Sequence, residues 1–531
     1  MRACVSTVLA FALSACAAPP PAAQPPDVPP PERHATLLFF SDAHADLEPH
    51  PELFWRDDGS TEIATAGGYA RLAYVVRGIR VETGGRAVLI DGGDTFQGSA
   101  AATWSRGESV VAPQRALGVD LAIPGNWEVV YGAARMRELA RETGYPWLAA
   151  NVLDASTGQP IFAPTAVREI GGIRVGFVGF TDPDVPQRQS PVFSEGLRFL
   201  GAESIAPAVR ALREREHADL IVLITHVGFA RSVALADEIA GVDVVLSGDT
   251  HERSTEPVVR NGTWVVEPGA FGSFLGRLDV RLTPGSRPSF AWKLIELRAD
   301  RYPEDADVAA LVAQSLAPYR ADMDRVVGHA STPLERYGVV ENTVDDLLVR
   351  ALKEQSGADV ALSNGFRFGH PVVAGPITEA DIVRLYPVNG RVKLGKVTGA
   401  QLRAFWESEI EHVFSHDPKK LFGGWLPRVA GMTVRLRAEA PPGRHVTAIT
   451  VGGRPLDDEA TYTMASCERE GDAPDTVCRM RGVKDPKLLD LDVYGVLRAH
   501  LAKHSPVGAA PLETVVAEDL PRRVFSQYQR R

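Results

Sequence analysis

The chain has 531 residues, 45% of them hydrophobic and 23% charged, with a net charge of −10. That length exceeds one compact core and predicts two domains with extensions. No block of Lys and Arg stands out, which argues against nucleic acid as a partner, but a small anionic substrate stays open because bound metals supply positive charge locally.

In chain order, the first element is an apolar run, Val5 to Leu13, with Arg2 the only charge before it. It is too short to span a bilayer and reads as an export signal. It ends in Leu13-Ser14-Ala15-Cys16, which resembles the bacterial lipobox; the resemblance implies a signal peptide over residues 1–15 and a lipidated Cys16. Eight prolines between Pro19 and Pro31 predict a semi-rigid tether over residues 16–34. The expected location is therefore the bacterial cell envelope, with membrane contact through the N-terminal lipid alone.

From residue 35 to about 304, short apolar runs alternate with amphipathic segments. Thr36–Phe40, Ala87–Ile90, Val175–Val178, Leu220–Ile224 and Val242–Leu246 predict strands buried on both faces. Tyr69, Leu72, Val76 and Ile79 recur at helical spacing, as do Ile205, Val209 and Leu212. The pattern predicts an α/β sheet with helical crossovers. Residues 305–327 predict a linking helix, and residues 328–531 a second α/β unit: a helix with Val344, Leu347, Leu348, Ala351 and Leu352, a strand Val360–Leu362, a helix from Gly399, and strands near Val446–Val451 and Thr461–Ala465. No internal repeat is evident.

Side chains able to bind metal follow the predicted strands. Asp42 and His44 follow the first, Asp94 the second, Asn126 follows Leu121–Pro124, His226 follows Leu220–Ile224, and Asp249 and His251 follow Val242–Leu246. Ligands gather at the carboxyl ends of strands in such sheets. Mixed nitrogen and oxygen donors suit two borderline divalent ions such as Mn, Zn or Fe, which clamp an anionic ester and activate water. Each short motif alone is compatible with an ordinary turn or a core histidine; their joint order carries the reading.

Asp42-x-His44, Gly93-Asp94-Thr95-Phe96-Gln97-Gly98-Ser99, Gly125-Asn126-x-Glu128, Thr225-His226 and Gly248-Asp249-Thr250-His251 together resemble the calcineurin-like metallophosphoesterases, and more closely the 5′-nucleotidase and UDP-sugar hydrolase family. The resemblance covers roughly Thr36 to Phe525. It implies a fold with an N-terminal calcineurin-like sandwich and a C-terminal α/β substrate domain of the 5′-nucleotidase type. It implies that Asp42, His44, Asp94 and His251 hold one metal, that Asp94, Asn126, His226 and Asp249 hold the second, and that Asp94 bridges. It further implies hydrolysis of phosphomonoesters or phosphoanhydrides, with nucleotides as substrates and Asn126 and the following residue in catalysis. The family has His where Asp249 stands, and Gly-Asn-His-Glu-Phe-Asp where this chain reads Gly125-Asn126-Trp127-Glu128-Val129-Val130. Trp127 therefore replaces the proton-carrying His. A Trp there also resembles a neighbouring branch, the sulfur-oxidation thiosulfohydrolases. Two alternatives stay open: such a sulfur enzyme, and a catalytically impaired metal-binding surface lipoprotein.

In the second half, the resemblance implies substrate contacts from Asn364, Arg367, Trp425 and Arg428, with Arg367 gripping an anion and Trp425 stacking on a flat group. Domain rotation in the family implies a hinge near Asp322–Val327. Cys467 and Cys478, close in sequence and in an exported chain, predict a disulfide. Oligomeric state is not predicted.

Overall fold

The computed structural model describes Met1, residues 32–508 except 57, 284, 366 and 422, and residues 512–520. The expected signal peptide, Cys16 and most of the proline tether lie outside the described residues.

The first domain is built on two sheets. Five of its strands carry the argument: β1 (Arg33–Phe40), β2 (Ala87–Asp91), β3 (Leu121–Ala122), β4 (Leu220–His226) and β5 (Val244–Gly248). One sheet runs Ser289–Glu296, Phe274–Leu282, β1, β2, β3; the other runs Val258–Arg260, Thr263–Val266, β5, β4, Ile173–Thr181, Thr165–Ile170. Leu37, Phe39, Val88 and Ile90 of the first sheet share one core with Phe177, Val222, Ile224, Val244 and Leu246 of the second. The opposite faces are also covered. Leu38, Phe40 and Leu89 pack with Tyr69, Leu72, Val76 and Ile79 of the helix Tyr69–Glu82, and Ile221, Leu223 and Val245 pack with Ile205, Val209 and Leu212 of the helix Ile205–Glu214. Helices thus sheathe both sheets. This is why the strands read as unbroken apolar runs rather than alternating ones.

Register places the chemistry. β1 and β2 are parallel with Phe40 opposite Asp91, and β2 and β3 are parallel with Asp91 opposite Ala122. β4 and β5 are parallel with His226 opposite Gly248. The carboxyl ends within each sheet therefore finish level, and the loops that follow meet at one end of the sandwich.

The segment expected to link the halves forms a helix, Ala306–Leu316, capped by the Asp305 side chain, then a short helix Arg320–Met323. Val308, Val312 and Leu316 are buried in the same core as the helix Tyr69–Glu82. The chain then enters the strand Val326–Ala330, antiparallel to Gly375–Thr378.

The second domain holds β6 (Val360–Leu362) parallel to Thr461–Cys467 in a five-stranded sheet, with a four-stranded sheet behind it. Its helix Thr343–Ser356 is capped by Asn342, and Gly399–Phe414 opens with a capping box of Thr398 and Gln401. The loop after β6 brings Arg367 and Phe368 back toward the first domain. There Arg367 donates to the carbonyl of Asp249, and on the adjoining loop Ser190 Oγ donates to the carbonyl of Glu470 at 2.6 Å. The chemistry therefore sits at the junction of the two domains.

Candidate metal centre

The loops that follow β1 to β5 build the centre, and their backbones are bent to do it. Asp42, His44, Asp94, Asp249 and His251 all have positive φ, between 47° and 90°. Non-glycine residues in that region carry strain and concentrate at functional sites. Two glycines allow the loops to close. Gly93 has φ 91°, and a Cβ there would lie 2.4 Å from the Gly125 nitrogen. A Cβ on Gly125 would lie 2.2 Å from Asp94 Oδ1.

The buried carboxylate of Glu128 ties the Asp94 and Asn126 loops together. It accepts backbone N–H bonds from Asp94 at 2.9 Å, Thr95 at 2.7 Å and Gly125 at 2.6 Å. Burial pushes Glu128 up to about 7, with the Asp94 charge adding to the shift. Asp91 braces the same turn, accepting from the Gly93 N–H at 3.0 Å and from Gln114 Nε2 at 2.7 Å.

The donor atoms converge in two overlapping groups: Asp42, His44 and His251, and Asp42, Asp94 and His226. Within each, the atoms lie within 4.8 Å of one another. His226 Nδ1 is 2.7 Å from the Gly92 carbonyl and His44 Nδ1 is 3.2 Å from the Gln97 carbonyl. A carbonyl only accepts, so those nitrogens carry the hydrogens and both Nε2 atoms point inward, the arrangement that orients metal-binding imidazoles. Burial would lower His226, but the Asp94 and Asp42 carboxylates outweigh it and raise it well above its ordinary range, so a metal there would displace the Nε2 proton. His44 Nε2 faces His251 Nε2 at 3.3 Å. Asp94 Oδ2 lies 3.2 Å from His226 Nε2 and 3.9 Å from His44 Nε2, between the two groups.

Asn126 Oδ1 has no hydrogen-bond partner among the described residues, and Asp42 Oδ1 and His226 Nε2 have only ion-pair neighbours, His251 Nε2 at 3.3 Å and Asp94 Oδ2 at 3.2 Å. Leaving a buried polar atom unpaired is costly, and a cation satisfies all of them at once. The residues fit divalent metal. The charge states point the same way. Burial would raise Asp42, but His226, then His251, outweigh it and hold the carboxyl well below its usual range. Burial, then His251, pushes His44 down to about 3. Burial raises Asp94 against the pull of His226.

Asp249 departs from its expected place as a ligand. Its oxygens are taken by Arg188, with Nη2 to Oδ1 at 2.9 Å and Nη1 to Oδ2 at 3.1 Å, and Oδ1 also accepts from Asn126 Nδ2 at 2.9 Å. Arg188 is further bound to Asp182 at 2.6 Å. A carboxylate gripped by a planar guanidinium is already neutralised, so Asp249 positions Asn126 with its oxygen free rather than joining the converging donors. The sequence reading missed Arg188 because nothing in its local pattern marks it; only the fold brings it across to Asp249.

A cavity of about 560 Å³ opens against the centre, lined by His44, Asp94, Asn126, Trp127, Asp249 and His251 from the first domain and by Asn364, Arg367 and Phe368 from the second. That volume is in the range of small-molecule sites, roughly 300–1,000 Å³. Arg367 is 9% exposed, and its Nε and Nη1 have no hydrogen-bond partner among the described residues. Asn364 Oδ1 is likewise unpartnered. Trp127 stands on the wall, and its backbone N–H donates to Asp94 Oδ1 at 2.8 Å.

The other two substrate contacts expected from sequence are corrected. Trp425 packs in the second domain's core with Val339, Leu362 and Leu426, and does not line the cavity. Arg428 is 1% exposed and donates to the carbonyls of Leu426 and Gly338, a buried structural brace. The glycines ahead of Trp425, Gly423 and Gly424, reach the cavity instead. Trp425→Ala is accordingly expected to lower unfolding free energy by about 3–5 kcal/mol in a denaturant titration, with KM of the folded enzyme unchanged. The expected disulfide is absent too. Cys467 and Cys478 are free thiols on the cavity wall, and Cys478 Sγ donates to the Ser363 carbonyl at 3.4 Å. Burial pushes Cys467 up to about 12.

A double-sheet α/β sandwich with Asp, His and Asn converging at its strand ends, closed by a second domain, defines a metal-dependent hydrolase of the phosphoesterase class. The family model for calcineurin-like phosphoesterase matches residues 35–253, and that for the 5′-nucleotidase C-terminal domain matches residues 326–468. The chain belongs to the calcineurin-like phosphoesterases that carry a 5′-nucleotidase C-terminal domain. It is 24% identical to protein UshA of Yersinia enterocolitica over 90% of this chain and 92% of that one. It is 25% identical to a probable 5′-nucleotidase of Treponema pallidum over 88% and 92%. Among solved structures it is similar to the sulfate thiohydrolase SoxB of Thermus thermophilus, with TM-score 0.82, 28% identity, and coverage of 94% of this chain and 99% of that one. A 5′-nucleotidase precursor, also of Thermus thermophilus, superposes with TM-score 0.80 at 23% identity, covering 92% and 100%.

Proposed function

We propose that the protein is an exported, lipid-anchored hydrolase that uses two divalent metal ions to cleave phosphomonoesters or phosphoanhydrides, with nucleotides and nucleotide sugars as the leading substrates. The observation that carries this reading is the pair of overlapping donor groups, sharing Asp42 and facing a cavity that also holds the partnerless N–H groups of Arg367. Asp42, His44 and His251 would hold one ion, and Asp42, Asp94, His226 and Asn126 would hold the other. Bound there, the ions supply Lewis acidity and lower the pKa of an attacking water.

The chain's own residues do the rest. Arg367 presents its Nε and Nη1 hydrogens to the anionic group, a planar fork suited to phosphate. Asn126 is held by Asp249 with its oxygen directed at the centre. Trp127 cannot carry a proton at neutral pH and instead excludes water from one side of the cavity. The N-terminal signal, Cys16 and the proline tether support export and anchoring from sequence, and no helix among the described residues is long and apolar enough to cross a membrane.

The test is phosphate release from a nucleotide panel by metal-loaded protein. Silence on every member discards the reading. Arg367→Ala is expected to raise KM about ten- to a hundredfold, the equivalent of losing a charged hydrogen bond of about 1.5–3 kcal/mol, with a smaller change in kcat. An unchanged KM removes Arg367 from the substrate.

A second reading keeps the centre and changes the substrate to a protein-bound cysteine S-thiosulfonate, from which sulfate is released. Trp127 at the cavity wall and the 28% identity to SoxB favour it. Sulfate release from a thiosulfonated carrier, with no phosphate from nucleotides, selects this reading over the first.

A further inference from the structure

A second group of metal-type donors lies outside the centre, and neither the core nor the proposed reaction employs it. Asp46 and His50 come from the segment after β1, in the first domain; His370 comes from the loop after β6, in the second. Their donor atoms lie within 4.8 Å of one another and all three residues are buried. The two imidazoles stack with ring centres 4.0 Å apart and planes 16° from parallel.

Their hydrogen bonds set the side they present. His50 Nδ1 is 3.0 Å from the Glu48 carbonyl, and His370 Nδ1 is 3.3 Å from the Pro371 carbonyl. Both Nδ1 atoms therefore carry hydrogen, which leaves lone pairs on both Nε2 atoms. His370 Nε2 faces Asp46 Oδ1 at 3.5 Å. The other oxygen, Asp46 Oδ2, is buried without a hydrogen-bond partner among the described residues. Burial, then the stacked His370, pushes His50 down to about 4, and burial, then Arg384, holds His370 well below its ordinary range. The nearby Arg384 guanidinium is itself paired with Asp381 at 2.7 Å. Two imidazole lone pairs and a buried carboxylate oxygen without a hydrogen bond thus crowd one spot, and a cation would satisfy them together once one ring tilts out of the stack to aim its Nε2 at the same point as the other. His50 Nε2 also has Ser273 Oγ at 3.0 Å, a hydroxyl free to rotate aside.

The geometry points to a further metal site, formed by Asp46, His50 and His370, that takes a borderline divalent cation of the zinc class and joins the two domains. Two imidazole nitrogens and one carboxylate oxygen are a donor set of that class, with a fourth position left for water. Because each domain supplies donors, the ion binds only when the domains are arranged as here, and by linkage it stabilises that arrangement. The site stands independently of the proposed reaction.

Zinc is the probe. The full chain is stripped with chelator, reloaded with zinc, freed of excess metal and counted for ions per chain. Four proteins are compared: the wild type, His370→Gln, a centre-disabled Asp42→Ala/His44→Ala/His226→Ala protein that lacks donors from both groups of the centre, and the centre-disabled protein with His370→Gln added. His370→Gln is expected to remove one ion per chain from either parent, with near-ultraviolet circular dichroism unchanged. Cobalt loaded into the centre-disabled protein gives a second readout: its visible absorption is expected to vanish on His370→Gln or His50→Gln, so misfolding of one variant does not decide the outcome. Equal ion counts with and without His370→Gln in both backgrounds overturn the site and leave an Asp46–His370 ion pair. A centre-disabled protein that binds no zinc and no cobalt overturns it as well, while loss of its ions relative to the wild type would leave the hydrolase reading intact.

Discussion

Asp94→Asn is expected to lower kcat/KM by at least about a thousandfold, or about 4 kcal/mol of transition-state stabilisation, while the protein stays folded. Asp94 Oδ2 lies between His44 and His226, and its Oδ1 accepts the Trp127 N–H. An amide in its place removes the negative charge that draws cations to both donor groups, and offers one oxygen where two are used. Metal content measured with the kinetics checks the cause, since the loss of rate should track loss of bound ions. A variant with full metal content and full rate would remove Asp94 from the centre. The opposing expectation for stability is an increase: Asp94 is a buried carboxylate raised by burial, so in metal-free protein its neutralisation should raise the melting temperature.

Arg188→Ala carries the second large effect, in stability. Arg188 is 11% exposed and Asp249 4% exposed, and the pair is bidentate. Removing the cation leaves Asp249 buried close to Asp42 and Asp94, with only the more distant Arg367 guanidinium, 3.9 Å away, against its charge. Breaking such a pair costs about 3–5 kcal/mol. A urea titration with unchanged slope and a lower midpoint measures it. The double variant Arg188→Ala/Asp249→Asn should recover most of that loss, because the charge that needed compensation is gone. If the single variant matches the wild type, the pair is not what holds the loop. Arg188→Ala/Asp249→His is a further expected gain of metal, since an imidazole released from the guanidinium would face the centre.

Legibility differed sharply between parts of the molecule. Val360–Leu362 and Val446–Val451 are strands with the predicted bounds, and the helix predicted from Tyr69, Leu72, Val76 and Ile79 runs Tyr69–Glu82. Periodicity and burial coincide there, so local pattern suffices. The hairpin His50–Trp55 and Thr61–Ala66, and the strands Lys484–Asp492 and Val515–Ala517, were not predicted. His50–Trp55 is largely buried yet mixes His50 and Glu52 with Leu53 and Phe54, and the others are partly exposed or very short, so none separates into apolar and polar faces. Among site residues, Asp42, His44, Asp94, His226 and His251 bring their donor atoms together and Asn126 lines the same cavity, because each follows a strand whose end the register aligns. Trp425 and Arg428 did not meet the cavity. A Gly-Gly-Trp-Leu-Pro-Arg segment marks a loop, but it does not say which of its residues turns outward.

By itself, then, the sequence determined the α/β order, the strand ends where chemistry gathers and the donor types found there, because those follow from short-range patterning of apolar and polar residues. The tertiary structure alone decided that Arg188 neutralises Asp249, that Arg367 rather than Arg428 faces the cavity, that Cys467 and Cys478 are free thiols, and that Asp46, His50 and His370 meet. Each of those outcomes depends on charges or donors brought together from distant segments, or on which way a side chain turns once the core has packed. Neither is written in the spacing of neighbouring residues.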